Sequence, residues 1–237
     1  MDITFIFSTL ITLMAAVPLT LQLAALSVLF GTAIAVGLAL ARTSRIAVLD
    51  IPARLYIFCF RGTPLLVQIF LIYYGLGQFS GIRSSFLWPL LREPYWCAIL
   101  ALALNTAAYS AEIIRGGLLS VATGQIEAAR ACGMSRTMIF RRIAMPLAVR
   151  QALPGYGNEI INMVKATALA SIITMMEITG VAAKLISETY RPLEVFIAAG
   201  AIYLAITFIL TRVVMILEGR LGQRLSPSDL TTLGDAG

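Results

Sequence analysis

Residues 19–41 read LTLQLAALSVLFGTAIAVGLALA. No position in this stretch is charged, and Gln22 is its most polar side chain. A helix needs about 20 mostly apolar residues to cross the hydrocarbon core of a bilayer, so the stretch predicts a membrane span. Working outward, Pro18 separates it from the apolar run Ile3–Met14, too short to be a second crossing with a turn and expected to be an interfacial helix. Further spans are expected at about 53–76, interrupted by Arg61-Gly62-Thr63-Pro64, then at 95–113, within 150–176, and at 195–217. The expectation is an all-α polytopic membrane protein with about five transmembrane helices. It divides into a peripheral helix (1–18), a transmembrane domain (19–218) and a tail (219–237).

Composition supports this class. The chain has 237 residues, of which 59% are hydrophobic and 13% charged, against roughly a quarter charged in soluble domains. Mean hydropathy is +0.88. Disordered chains are poor in apolar residues and are excluded. The net charge is +6, but the 16 arginines and two lysines are spread between apolar blocks. A nucleic-acid-binding face would cluster them. Histidine is absent, which removes Ser-His-Asp triads and most transition-metal sites. No cofactor or metal is expected. Cys59, Cys97 and Cys132 lack CxxC spacing and are expected to be small buried side chains. Met1-Asp2-Ile3 lacks the basic n-region of a cleavable signal.

Arginine placement sets the expected orientation. The loop after the first span carries Arg42, Arg45 and Arg54, the 114–148 segment carries Arg115, Arg130, Arg136, Arg141 and Arg142 with Arg150 just beyond it, and the tail carries Arg220 and Arg224. The other side carries Arg83, Arg92, Lys184 and Arg191 among several glutamates. By the positive-inside rule the N-terminus is expected outside and the C-terminus, with its tail, in the cytoplasm.

Gly124–Pro146, GQIEAARACGMSRTMIFRRIAMP, is the most informative polar segment. Gln125–Ala131 is a good helix former, Gly133 is a break or a point of close approach, and Pro146 is expected to stop or kink a second amphipathic stretch. The hairpin should show small residues, Ala128, Ala129 and Ala131, to the cytoplasm. Shape alone fits either a surface helix between spans or a docking site.

The spacing resembles a known pattern. Glu127-Ala128-Ala129, three residues, Gly133, nine residues, Ile143, one residue, Met145-Pro146 is similar to the EAA loop of membrane subunits of ATP-binding-cassette importers, with Met145 where Leu is usual. FRGTPLLVQ (60–68), NTAAYSAE (105–112), and Asn158-Glu159 with Lys165–Leu169 resemble motifs of the polar amino acid permease subfamily. YYGL (73–76) and ISETYRP (186–192) resemble M-type subunits of basic amino acid and opine (octopine, nopaline) systems. The resemblance covers roughly residues 18–218.

It implies a type I importer permease in a bacterial inner membrane, with a periplasmic N-terminus. It further implies a second homologous permease subunit, two ATP-binding subunits, a periplasmic solute-binding protein, and a polar, basic amino acid or opine as solute. Glu127, Ala128, Ala129, Gly133, Ile143 and Pro146 would then couple to the ATPase. No GxxxxGK[ST] phosphate loop occurs in the chain. It is therefore not expected to be an enzyme, and ATP hydrolysis must come from a partner.

Charges inside spans need a partner or a purpose. Arg61 is expected to bond freed carbonyls or a carboxylate such as Glu112, or to face the pathway. Asn105, Tyr109 and Glu112 share one face of the third span by helical spacing, and Ala103, Ala107 and Ala111 another. That polar face is interhelical glue or pathway lining. Asn158, Asn162 and Lys165 share a face of the fourth span, with Glu159 beside them. Glu112, Glu177 and Glu218 fall near span ends, where water should reach them, which leaves Glu159 as the deep carboxylate. It is either a cation contact, with Asn158 and Asn162 for the amino and carboxylate groups, or half of an interhelical ion pair. Thr63, Asn105 and Tyr109 complete the candidate solute-contacting set. The competing readings are a permease for neutral or acidic amino acids such as glutamine, and a channel-like membrane subunit. An intramembrane hydrolase lacks any nucleophile–base pair.

Overall fold

A computed structural model describes residues 2–44 and 46–221. Arg45, Arg224 and the tail from Ser226 to Gly237 lie outside these residues. Every regular element described is helical.

The chain opens with α1 (Ile3–Met14), whose first turn is capped by Asp2 accepting from the amides of Thr4 (3.1 Å) and Phe5 (3.2 Å). The Phe5 amide, then the Thr4 amide and Arg191, hold the Asp2 carboxyl below the usual carboxylate range. A two-residue turn leads into α2 (Val17–Thr43). Leu13 is fully buried, in a cluster with Ile178, Ala182, Val195 and Ala198.

Next come α3 (Ala47–Gly62) and α4 (Leu65–Phe70), the latter extended by a π-turn (Leu71–Gly75) and a 3-10 turn (Leu76–Gln78). The two halves meet at 107°, so the second span is not a straight helix. The cause is local: a residue before proline is pushed out of the helical region, and Thr63 sits at φ −117°, ψ 144° before Pro64. Two short helices, α5 (Ser80–Arg83) and α6 (Trp88–Leu91), precede the central helix α7 (Pro94–Leu119).

The polar segment forms α8 (Thr123–Ala131) and α9 (Arg136–Ile139), joined through a π-turn (Phe140–Ala144) to α10 (Met145–Ala166). Pro146 does not stop the helix. It enters within the first turn of α10, directly after the π-turn. Proline has no N–H to give, and a widened turn is one way for a helix to carry on past that gap. A 3-10 segment (Thr167–Ile173) extends α10, so Arg136–Ile173 forms one helical body.

A break at Thr174 (φ +69°) turns the chain by 48° into α11 (Ile178–Thr189). This helix falls between the spans expected within 150–176 and at 195–217. Finally α12 runs over Pro192–Leu221. Three helices are long and apolar enough to cross a membrane, and five crossings result if each bent pair is counted as one.

The most extensive pairing is α2 with α7, followed by α10 with α7. Small residues make the first possible. Ala101, Ala103, Ala107, Ala108 and Ala111 are all buried on α7. A Cβ on Gly31 would lie 2.2 Å from Thr106 Cγ2 and 2.8 Å from the Ala103 carbonyl. Close backbone approach through small residues is a common way for membrane helices to associate.

Candidate functional site

Two polar regions survive this packing. The first surrounds α7. Thr106 Oγ1 donates to Glu159 Oε1 at 2.6 Å, tying α10 to α7. Glu159 is half-buried and makes no ion pair among the described residues, while Asn158, Asn162 and Lys165 are exposed on the neighbouring face of α10. Tyr156, one turn earlier, bonds Thr32 of α2.

Asn105 is only 8% exposed and donates to Gln68 Oε1 at 2.9 Å. Gln68 Nε2 in turn reaches the Phe60 carbonyl (2.8 Å), Thr63 Oγ1 (2.9 Å) and the Thr63 carbonyl (3.1 Å). The carbonyls freed at the end of α3 are thus met by Gln68, not by Arg61 as the sequence suggested. Thr63 is exposed, and its hydroxyl also donates to the Cys59 carbonyl at 2.8 Å. Glu112 is not Arg61's partner either. It binds Arg115 at 2.6 Å and lies 3.4 Å from Arg42, which holds Asp50 at 2.5 Å. Arg54 closes this network on Asp50 at 2.6 Å. Arg61 instead lies over the half-buried ring of Tyr109, 5.2 Å from its centroid.

Glu177 corrects the sequence reading most clearly. It is 0% exposed rather than within reach of water. Its carboxylate caps α11 by accepting from the amides of Gly180 (2.8 Å) and Thr179 (2.9 Å), and from the Tyr203 hydroxyl of α12 (2.8 Å). With every near donor taken, it serves structure.

The second region is the α8–α10 hairpin. Cys132, Gly133 and Met134 end α8 in a Schellman motif. The Met134 amide bonds the Ala129 carbonyl (3.1 Å) and the Gly133 amide bonds the Arg130 carbonyl (2.9 Å). Gly133 has φ +76°, which an L side chain rarely adopts, and the direction of its missing Cβ is open. Its first duty is therefore to turn the chain. The motif folds α8 back toward the start of α10 and leaves a cleft of about 560 Å³. Ala128, Ala129, Cys132, Ile143 and Pro146 line it together with Arg142 and Arg150. Glu127 and Ala128 are exposed, whereas Ala129 is 6% exposed and faces inward, against expectation. Ile143 is half-buried and Pro146 exposed. Two cysteines also depart from expectation: Cys97 is buried, but Cys59 and Cys132 are exposed.

An open cleft lined by alanines and arginines suits a protein surface, and the polar face of α10 suits a solute with hydrogen-bonding ends. Comparison with known proteins identifies the family. Residues 31–223 match the family described as binding-protein-dependent transport system inner membrane component. The octopine transport system permease protein OccM of Rhizobium radiobacter is 62% identical over 98% of this chain and 94% of its own. The nopaline transport system permease protein NocM of Agrobacterium fabrum is 57% identical, over 92% and 91% respectively. The solved structure titled "Crystal structure of an amino acid ABC transporter with histidines" superposes with a TM-score of 0.82 at 36% identity, over 93% of this chain and 99% of that one. The chain belongs to the family of inner membrane components of binding-protein-dependent transport systems, and it has their type I importer permease fold.

Proposed function

We propose that this chain is one permease half of an ATP-driven importer for basic amino acids or opines. The observation that carries the solute class is Glu159, a half-buried carboxylate on α10 that has one hydroxyl donor and, among the described residues, no cation of its own. Desolvating a cation costs several kcal/mol unless its charge is met, and Glu159 meets it, with Asn158 and Asn162 beside it for the polar ends. The opine specificities named for the relatives OccM and NocM fit the same chemistry.

A second homologous permease completes the pathway, and each permease docks one ATP-binding subunit in its α8–α10 cleft. The solute-binding protein engages the opposite side, where the N-terminus lies, while the hairpin is cytoplasmic. The chain is a transport subunit, and hydrolysis belongs to its partner.

Co-purification from a strain expressing the whole operon tests the assembly. An ATPase and a homologous permease should accompany the tagged chain, and recovery of a lone homo-oligomer would favour a channel. Cysteines at Ser84 and Gly124 should react with an impermeant reagent from opposite sides. Labelling of both from one side contradicts the orientation.

A further inference from the structure

Each side of α7 but one is covered. Gly31 of α2 sits against Ala103, Thr106 and Ala107. Tyr56 of α3 donates to the Leu104 carbonyl at 2.7 Å, and Ile57 packs with Ala108 and Ala111. Glu159 and Gly155 of α10 meet Thr106 and Ile113. The remaining stripe is Tyr109, Glu112 and Gly116, at i, i+3 and i+7, and nothing lies within 4 Å of a Cβ built on Gly116. Tyr109 and Glu112 of this stripe line an open groove of about 490 Å³. Its α3 wall carries Arg61, while Glu159 lies outside its lining and meets α7 at Thr106.

The charges along the groove are unequally matched. Arg42, Arg54 and Arg115 are taken up by Asp50 and Glu112. Arg61 has no carboxylate among the described residues, and only the Tyr109 ring lies beneath it. Stacking on a ring leaves the planar edge of a guanidinium, with its N–H donors, free for a two-pronged bond to a carboxylate. Tyr109 follows Thr106 by three residues, about 4.5 Å along the axis at 1.5 Å per residue. The unmatched cation and the unmatched anion therefore flank one helix about a turn apart.

We propose that Arg61, held on Tyr109, is the carboxylate-receiving end of the solute site, opposite Glu159. It rests on the reading of Glu159 as the cation-receiving end. The solute then lies along α7, its carboxylate at Arg61 beside Tyr109 and its guanidinium or ammonium at Glu159 beside Thr106. An opine, with a second carboxylate near the first, gains most from the Arg61 fork.

The test is equilibrium binding of arginine and of agmatine, its decarboxylated analogue, to the assembled permease–ATPase complex in nanodiscs without the solute-binding protein. Wild type should bind arginine at least about tenfold more tightly than agmatine. Arg61→Gln should weaken arginine to the level of agmatine and leave agmatine unchanged, and Arg61→Lys should recover part of the preference. Glu159→Gln should weaken both ligands. If Glu159→Gln changes neither while Arg61→Gln still erases the preference, the carboxylate end stands and the Glu159 reading fails. An unchanged arginine-to-agmatine ratio in Arg61→Gln overturns the proposal, as does absence of arginine binding by wild type. An Arg61→Gln effect confined to nanodiscs containing phosphatidylglycerol would assign Arg61 to a lipid phosphate and also overturn it.

Discussion

The Thr106 hydroxyl bonds Glu159 of α10, while the methyl of the same residue fills the space left by Gly31 of α2. One β-branched residue thus fixes the spacing of α2 against α7 and the position of the Glu159 carboxylate. The packing of the scaffold and the geometry of the site are coupled through it.

Gly31→Ala should therefore disturb both. The added Cβ meets the Ala103 carbonyl, which is backbone and cannot swing away, as well as the Thr106 methyl. Overpacking of this kind costs about 1–3 kcal/mol. The purified complex should melt at a lower temperature, and solute affinity should fall with it. Unchanged melting would show that α2 and α7 are not held at this distance.

The coupling cleft makes separate demands on Gly133 and Ala128. Replacing Gly133 by a branched residue forces a left-handed backbone that costs about 1–2 kcal/mol, so its failure would say nothing about docking. Asn tolerates this conformation, and Gly133→Asn should retain ATPase stimulation by loaded solute-binding protein. Ala128 is exposed on a regular helix and lines the cleft, so Ala128→Trp should fold and yet abolish stimulation. Normal stimulation of Ala128→Trp would remove the cleft from the coupling path.

Glu177→Ala would leave two helix-start amides and the Tyr203 hydroxyl without their acceptor. Loss of an N-cap costs about 0.5–2 kcal/mol, and this one is buried. Hydrogen exchange at the amides of 178–181 should quicken, with a smaller effect for Tyr203→Phe. Exchange that does not change in Glu177→Ala would mean α11 is held by its apolar face alone.

How far the sequence revealed these features depends on the range of the forces involved. The spans are legible because an apolar run of about 20 residues has few other uses. The Gly133 turn is legible because a glycine after a helix-forming run marks a left-handed cap. The helix α11 was missed although its signal is present: Ile178, Val181, Ala182, Leu185 and Ile186 recur at helical spacing, but Lys184 and Glu188 beside them look like loop charges.

The burial of Glu177 had no local signal. It depends on Tyr203, 26 residues away and supplied by a different helix. Asn105 and Gln68 were likewise indistinguishable from pathway residues until the 107° bend brought them together. Arg61 could not be assigned a partner from spacing, because its neighbour Tyr109 lies on another helix.

Glu159 is proposed to receive the cation of the transported solute. The most direct test of this role is uptake of radiolabelled arginine by proteoliposomes holding the complete complex, with Glu159→Gln compared to wild type. Glu159→Gln should assemble with its partners, since Gln still accepts from Thr106, and uptake should fall at least about tenfold, equivalent to about 1.4 kcal/mol. An assembled Glu159→Gln complex that transports arginine at the wild-type rate would contradict the account.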